Sequence, residues 1–408
     1  MRQYPLRFML EAHVWEAAVL EARWLALAVL TAARTSMGFQ FQSLPSVAPP
    51  LIVDLGITYA EVGFLIGLYF LPGVVLALPG GLLGRRFGDK RVVVAGLALM
   101  VAGGAVAGFA DSYPALATGR VMSGVGAVLL NVLMAKMITD WFAGREIVLA
   151  MAVFVNSFPI GIGLALLTLG GLAESLGWGA ALHVTAILAG AALLLVALAY
   201  HPHPNDGRAA ATALPSGGRI SQREAGLAWL AGAIWGVFNG SLAVTFAFIP
   251  ILLIEAEYTV GGAGSLVATM TWLSVASVQA GGLIAQRFGR RTLLLLSGTI
   301  AWGIGLLVLP LAAPVPVLLI IGLMMGLPVG VVMSLPSEVL RPESRATGMG
   351  LFYTALYVGH FGLPPIAGWL LDLSGSPAVS LAFGGMLVLT IIPMFAAFRA
   401  FQKRSGQG

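Results

Sequence analysis

Two arginines and a histidine in this chain stand where apolar side chains would be expected. Arg34 and Arg120 lie inside long apolar runs, and so does the series Tyr353, Tyr357, His360 and Pro364. A guanidinium at the centre of an apolar span costs about 2.5–3.5 kcal/mol on insertion scales, so something must compensate it. A nearby carboxylate would be the simplest answer. All 17 acidic residues, however, fall in the N-terminal lead-in, in loops, in a linker or within about a turn of a span end. Two embedded guanidiniums without a carboxylate describe a cavity of positive potential. The planar fork of Arg matches a small anion carrying a carboxylate-like group. The alternative for either arginine is structural, with its nitrogens bonded to carbonyls of a broken helix or snorkelling to an interface.

The spacing of Tyr353, Tyr357, His360 and Pro364 places them on one helix face, as in the wall of a polar cavity. His360 could take up and release a proton near neutral pH; the alternative is a neutral ring bonded to a neighbouring helix. Asn131 follows Arg120 by eleven residues, on nearly the same helix face, and Trp235 and Asn239 form an i, i+4 pair. Gln40 and Gln42 lie beyond Arg34 on different faces from each other. Each of these alone is most simply an interhelical hydrogen bond. Taken together, Arg34, Arg120, Gln42, Asn131, Trp235, Asn239, Tyr353, Tyr357 and His360 are the candidate substrate-binding set, with His360 the candidate for proton coupling.

The elements that must position them are apolar helices. Of the 408 residues 59% are hydrophobic and 10% charged, against about 25% charged in a soluble chain. Much of the surface must therefore face lipid. With a span needing about 20 apolar residues, the segments 24–51, 59–83, 92–109, 114–138, 147–172 and 179–200 qualify. After a polar stretch come 225–253, 260–285, 292–311, 316–338, 347–371 and 377–398. The expected organisation is a cytoplasmic lead-in (1–23), a six-helix bundle (24–200), a cytoplasmic linker (201–224), a second six-helix bundle (225–398) and a cytoplasmic tail (399–408). Glu11, Glu16 and Glu21 interrupt the lead-in, which does not read as a signal peptide.

Every basic residue other than Arg34 and Arg120 falls on one side of this twelve-span arrangement. The opposite loops carry acids only: Asp54, Asp111, Glu174, Glu255, Glu257 and Asp372. By the positive-inside rule both termini are cytoplasmic. The net charge of +5 is thus topogenic and does not point to nucleic acid. There is no cysteine, hence no thiolate metal site. His201 and His203 sit in the polar linker, where solvation accounts for them. No phosphate-binding loop is present to draw on ATP, and no nucleophile–base or metal-ligand spacing points to an enzyme, a metal or a cofactor.

The halves repeat. Gly80–Lys90 reads GGLLGRRFGDK and Gly281–Arg291 reads GGLIAQRFGRR, each at the end of its half's second span. Such duplicated six-helix units are a transporter architecture. These segments resemble the cytoplasmic loop motif of the major facilitator superfamily, Gly-x-x-x-Asp-Arg/Lys-x-Gly-Arg/Lys-Arg/Lys. Gly81, Arg86, Gly88 and Lys90 match in one copy; Gly282, Arg287, Gly289, Arg290 and Arg291 match in the other. Both copies depart from the pattern at the acidic position, occupied by Arg85 and Gln286, while Asp89 replaces a basic residue. In the family the loop carboxylate helps lock the two halves, a role for which the resemblance leaves Asp89 as the substitute. Arg120-Val-Met-Ser-Gly124-Val-Gly126 is similar to the fourth-span Arg-x-x-x-Gly-x-Gly pattern of many members. The fifth span, VNSFPIGIGLALLTLGG, lacks the Gly-Pro-x-x-Gly-Gly pattern of drug/proton antiporters.

The resemblance implies an all-α membrane protein of twelve spanning helices in two pseudo-symmetric bundles. It implies a secondary transporter working by alternating access, usually as a monomer, in a bacterial inner membrane. An arginine in the first span resembles the cyanate/nitroimidazole and organic-anion branches, so a small cyanate- or carboxylate-like anion is the expected substrate, moved with protons or against a second anion. Proton-coupled export of a neutral or drug-like solute, and a non-transporting membrane receptor of the same fold, are the alternatives.

Overall fold

A computed structural model describes residues 6–76, 83–84, 86–142, 146–203, 220–341 and 343–403, the side chains of residues 6–21, 148, 345 and 346 excepted. All regular structure among them is helical. The first half comprises α1 (Leu6–Leu55), α2 (Tyr59–Leu68) with its short continuation α3 (Leu71–Leu76), α4 (Asp89–Gly108), α5 (Tyr113–Phe142), α6 (Ile147–Leu176) and α7 (Trp178–Ala199). The second half comprises α8 (Gln222–Glu255), α9 (Val260–Phe288), α10 (Arg291–Val308), α11 (Pro314–Met325), α12 (Val329–Ser334), α13 (Arg345–Ser374) and α14 (Pro377–Lys403).

Ten segments among the described residues are long and apolar enough to cross a membrane. Their outer faces remain apolar and uncovered: Ile187 and Leu198 on α7 are 68% and 78% exposed, as lipid-facing side chains would be. Two more long helices, α1 and α13, lie outside that set of ten. They are the helices that carry Arg34, Gln40 and Gln42, and Tyr353, Tyr357 and His360, so polar side chains lower their hydropathy. The first apolar run belongs to a helix that already starts at Leu6. The second half begins at a capping box in which the Ser221 hydroxyl accepts from the Glu224 amide and the Glu224 carboxylate accepts from the Ser221 amide.

Within the first half α4 packs on α5, and α1 on α6 and α7. Within the second, α8 packs on α13 and α14, and α9 on α11. The halves meet along two seams, α2 against α13 and α6 against α9. The first seam needs Gly67: a Cβ built there would lie 2.3 Å from the Phe361 carbonyl oxygen, so only glycine permits this approach. At the Asp54–Asp372 end the seam is also bonded. The Asp372 carboxylate accepts from the amides of Tyr59 and Ala60 at 2.9 and 2.8 Å, two donors that the start of α2 would otherwise leave without partners. That carboxylate belongs to one half and the helix it caps to the other.

The opposite end looks different. Its ion pairs among the described residues each stay within one half: Arg23–Glu146, Lys136–Asp89, Lys136–Asp140, Arg291–Glu338, Arg341–Glu224 and Arg399–Glu338. Asp89 is buried and pairs with Lys136 of α5, so in this conformation that contact ties α4 to its own bundle. Lys90 donates to the carbonyls of Ala197 and Tyr200 and so caps α7. The repeated glycines have a backbone reason. Gly88 and Gly289 have φ of 87° and 64°, a region costly for residues with a Cβ. Arg86 and Arg287 are exposed over the rings of Phe87 and Phe288. Gly282 has open space around it, Arg290 is exposed, and Arg291 reaches Glu338 at 3.3 Å. Gly81 and Arg85 lie outside the described residues.

Candidate functional site

Between the halves lies a cavity of about 210 Å³ walled by α1, α6, α8, α9, α13 and the α11–α12 region. Arg34 and Phe41 reach it from α1, Asn156, Phe158 and Pro159 from α6, and Trp235, Phe238, Asn239 and Phe246 from α8. Ser274 and His360 complete its polar lining. None of the residues that line it carries a carboxylate.

Arg34 donates to the Asn131 side-chain oxygen at 2.5 Å. Its guanidinium lies 4.7 Å from the centroid of Phe154 and 5.7 Å from that of Phe158, a cation–π setting. Its Nε has no hydrogen-bond partner among the described residues. Tyr353 and Tyr357 of α13 are near enough to Arg34 to interact with its charge. Of this group only Arg34 lines the cavity; Asn131, Tyr353 and Tyr357 lie behind it and are not among the lining residues.

Arg120 is placed differently. It is 2% exposed, and its three nitrogens donate to the carbonyls of Leu65, Gln40 and Phe41 at 3.1, 3.0 and 3.2 Å. Its guanidinium stacks 4.6 Å over Tyr69. These acceptors have a local origin. Pro45 lacks the amide that would bond the Phe41 carbonyl four residues earlier, and Leu65 lies in the last turn of α2, where carbonyls are left over. Arg120 knits α5 to α1 and α2 and does not line the cavity.

Of the remaining expected residues, Trp235, Asn239 and His360 line the cavity. Asn239 donates back to the Trp235 backbone carbonyl at 2.8 Å, which orients the Asn239 side chain on α8. Gln42 is fully buried and donates to the Phe246 carbonyl at 3.3 Å across the two halves. Gln40, on the other face, turns inward to the carbonyl of Met100 and to Thr185. His360 is 6% exposed and its Nε2 has no partner among the described residues. Its ring stacks on Phe70 at 3.9 Å and is met edge-on by Phe41 at 5.6 Å.

Sequence reasoning passed over Asn156 and the aromatic lining of Phe41, Phe158, Phe238 and Phe246. Asn156 had a visible signal, an amide next to Ser157 in an otherwise apolar run. The phenylalanines had none, because an apolar side chain in an apolar helix is indistinguishable from packing until its neighbours are known.

The family model described as Major Facilitator Superfamily matches residues 30–261 and again 230–407. A probable 4-methylmuconolactone transporter of Cupriavidus pinatubonensis is 27% identical over 77% of this chain and 76% of its own length. The 3-(3-hydroxy-phenyl)propionate transporter of Escherichia coli is 29% identical over 83% of each chain. Among solved structures, the xylose transporter XylE from E. coli in an inward open conformation superposes with a TM-score of 0.76. It is 15% identical, over 91% of this chain and 96% of that one, a likeness of fold.

Proposed function

The chain belongs to the Major Facilitator Superfamily and is a multi-pass membrane transporter of that type, and on that premise we propose that its cargo is a small organic acid carried as its anion. The observation that carries this reading is Arg34, a cation at the wall of a cavity whose lining holds no carboxylate. Its fork is only partly used, by Asn131, so a substrate carboxylate can take up the remaining donors and offset the cost of the buried charge. The aromatic walls favour an acid with a planar body. The two bacterial relatives, named for a lactone and a phenylpropionate, fit that description. Arg120, with three carbonyl partners, serves the fold of this site rather than the cargo.

Transport proceeds by alternating access between two halves of six spans each, α1 and α13 included, in a bacterial inner membrane. Supporting this reading, the bonded Asp372 clamp sits on the side expected to be periplasmic, while the ion pairs of the basic side among the described residues each stay within one half. The clamp must release for the outer face to open. Because the chain has no cysteine, a single cysteine is a clean reporter. Ser46 lines an outer crevice with Pro49 and Glu174. In a Ser46→Cys chain, adding Asp372→Ala should raise labelling by an impermeant maleimide severalfold; unchanged labelling would remove the clamp from the cycle.

The anion reading is tested by thermal shift of purified protein with small carboxylates, on wild type and Arg34→Ala together. Ligands that bind the folded state raise its melting temperature by mass action. An acid that stabilises wild type and not the variant is the expected result. No shift in either protein, or equal shifts in both, would return the chain to export of neutral solutes.

A further inference from the structure

His360 is buried, its Nε2 lacks a partner among the described residues, and it lines the cavity that Arg34 lines. A buried ring nitrogen left without a hydrogen bond costs about 1–3 kcal/mol, a cost that a helix-packing role would not require. Packing already holds the ring in place without using that nitrogen, since Phe70 covers its face and Phe41 its edge. The imidazole is therefore oriented but polar-unsatisfied, as a group kept for a ligand would be.

Its position relative to Arg34 can be read through α1. Arg34 and Phe41 are seven residues apart on that helix, about 10 Å along its axis at 1.5 Å per residue. Phe158 links them: its ring lies 5.7 Å from the Arg34 guanidinium and stacks at 5.9 Å on Phe41. Phe41 in turn meets His360. Cation, two stacked rings and imidazole thus follow one another along the cavity. At about 210 Å³ the space is below the roughly 300–1,000 Å³ of drug-sized sites and suits a one-ring molecule.

We infer that the site reads two poles: Arg34 takes the carboxylate of an aromatic acid, and His360 Nε2 exchanges a hydrogen bond with a hydroxyl or carbonyl at the far end of its ring. This rests on the anion reading above and adds a specificity determinant to it. The ring lies against Phe41 and Phe158, and a one- or two-carbon anion is too short to satisfy both poles. An acid lacking the far polar group leaves Nε2 unbonded and is discriminated against, as sites built around a substrate hydroxyl reject analogues without it.

The test uses the full chain in detergent and a matched set of probes: acetate, 3-phenylpropionate and its three ring-monohydroxylated isomers, with affinities measured by calorimetry. On wild type, one hydroxylated isomer should bind at least tenfold more tightly than 3-phenylpropionate. In His360→Phe the affinity ratio between that isomer and 3-phenylpropionate should fall to about one. His360→Gln, which keeps a hydrogen-bonding group, should retain part of the preference and guards against a variant that fails to fold. Equal affinities across the four phenylpropionates on wild type would overturn the two-pole site. So would a preference that survives in His360→Phe. If acetate binds in an Arg34-dependent way and no aromatic acid does, the second pole fails and the anion reading stands. If no acid binds at all, both fall.

Discussion

Arg34 and Arg120 are the same residue type in neighbouring helices of one bundle, and the structure treats them as opposites. Arg120 spends every nitrogen on a carbonyl and is sealed from the cavity. Arg34 makes one side-chain bond, rests on aromatic rings and keeps Nε without a partner among the described residues. A buried charge is tolerated when it is either fully bonded or held for a ligand that completes it. What separates a structural arginine from a functional one here is therefore the supply of acceptors. Pro45 and the end of α2 furnish two of the three for Arg120, those of Phe41 and Leu65, whereas Arg34 bonds no carbonyl of the backbone among the described residues.

The comparison breaks most readily at Arg120. Arg120→Leu strips the guanidinium donors from the carbonyls of Leu65, Gln40 and Phe41, and a loss of about 3 kcal/mol is expected. It would be read as a large drop in melting temperature and in yield of monodisperse protein. A variant that melts like wild type but no longer binds acids would move Arg120 into the site. Arg34→Lys is the complementary change. The charge stays and the planar fork goes, so acid binding should weaken about tenfold, or about 1.4 kcal/mol, with melting of the empty protein little altered. Equal binding by both chains would show that Arg34 acts only as a point charge. The smallest effect is expected for Pro45→Ala. The restored amide competes with Arg120 for the Phe41 carbonyl, and the net change should stay within about 1 kcal/mol. If its stability falls as far as that of Arg120→Leu, the proline has a role in the shape of α1 that outweighs the carbonyl it frees.

Much of this architecture was legible beforehand because apolar length and loop charge are properties of contiguous residues. The repeated Gly88 and Gly289 had a signal in residue type and spacing, and Arg34, Asn131 and Tyr357 had one in being polar within apolar runs. Hydropathy was weakest for α1 and α13, since the residues that make a site polar also make its helices less apolar. Asp372 was read as one outer-loop acid among six, and nothing in its spacing tied it to the amides of Tyr59 and Ala60, some 310 positions away.

Taken alone, the sequence determined that the chain lives in a membrane, that its halves are duplicates and that two cations stand at membrane depth. Those facts follow from composition, periodicity and charge along the chain. Only the tertiary structure decided which cation faces a cavity, which phenylalanines wall it and which carboxylate joins the halves. Each of those depends on where helices distant in sequence bring their carbonyls, rings and free amides, and no local run of residues encodes that meeting.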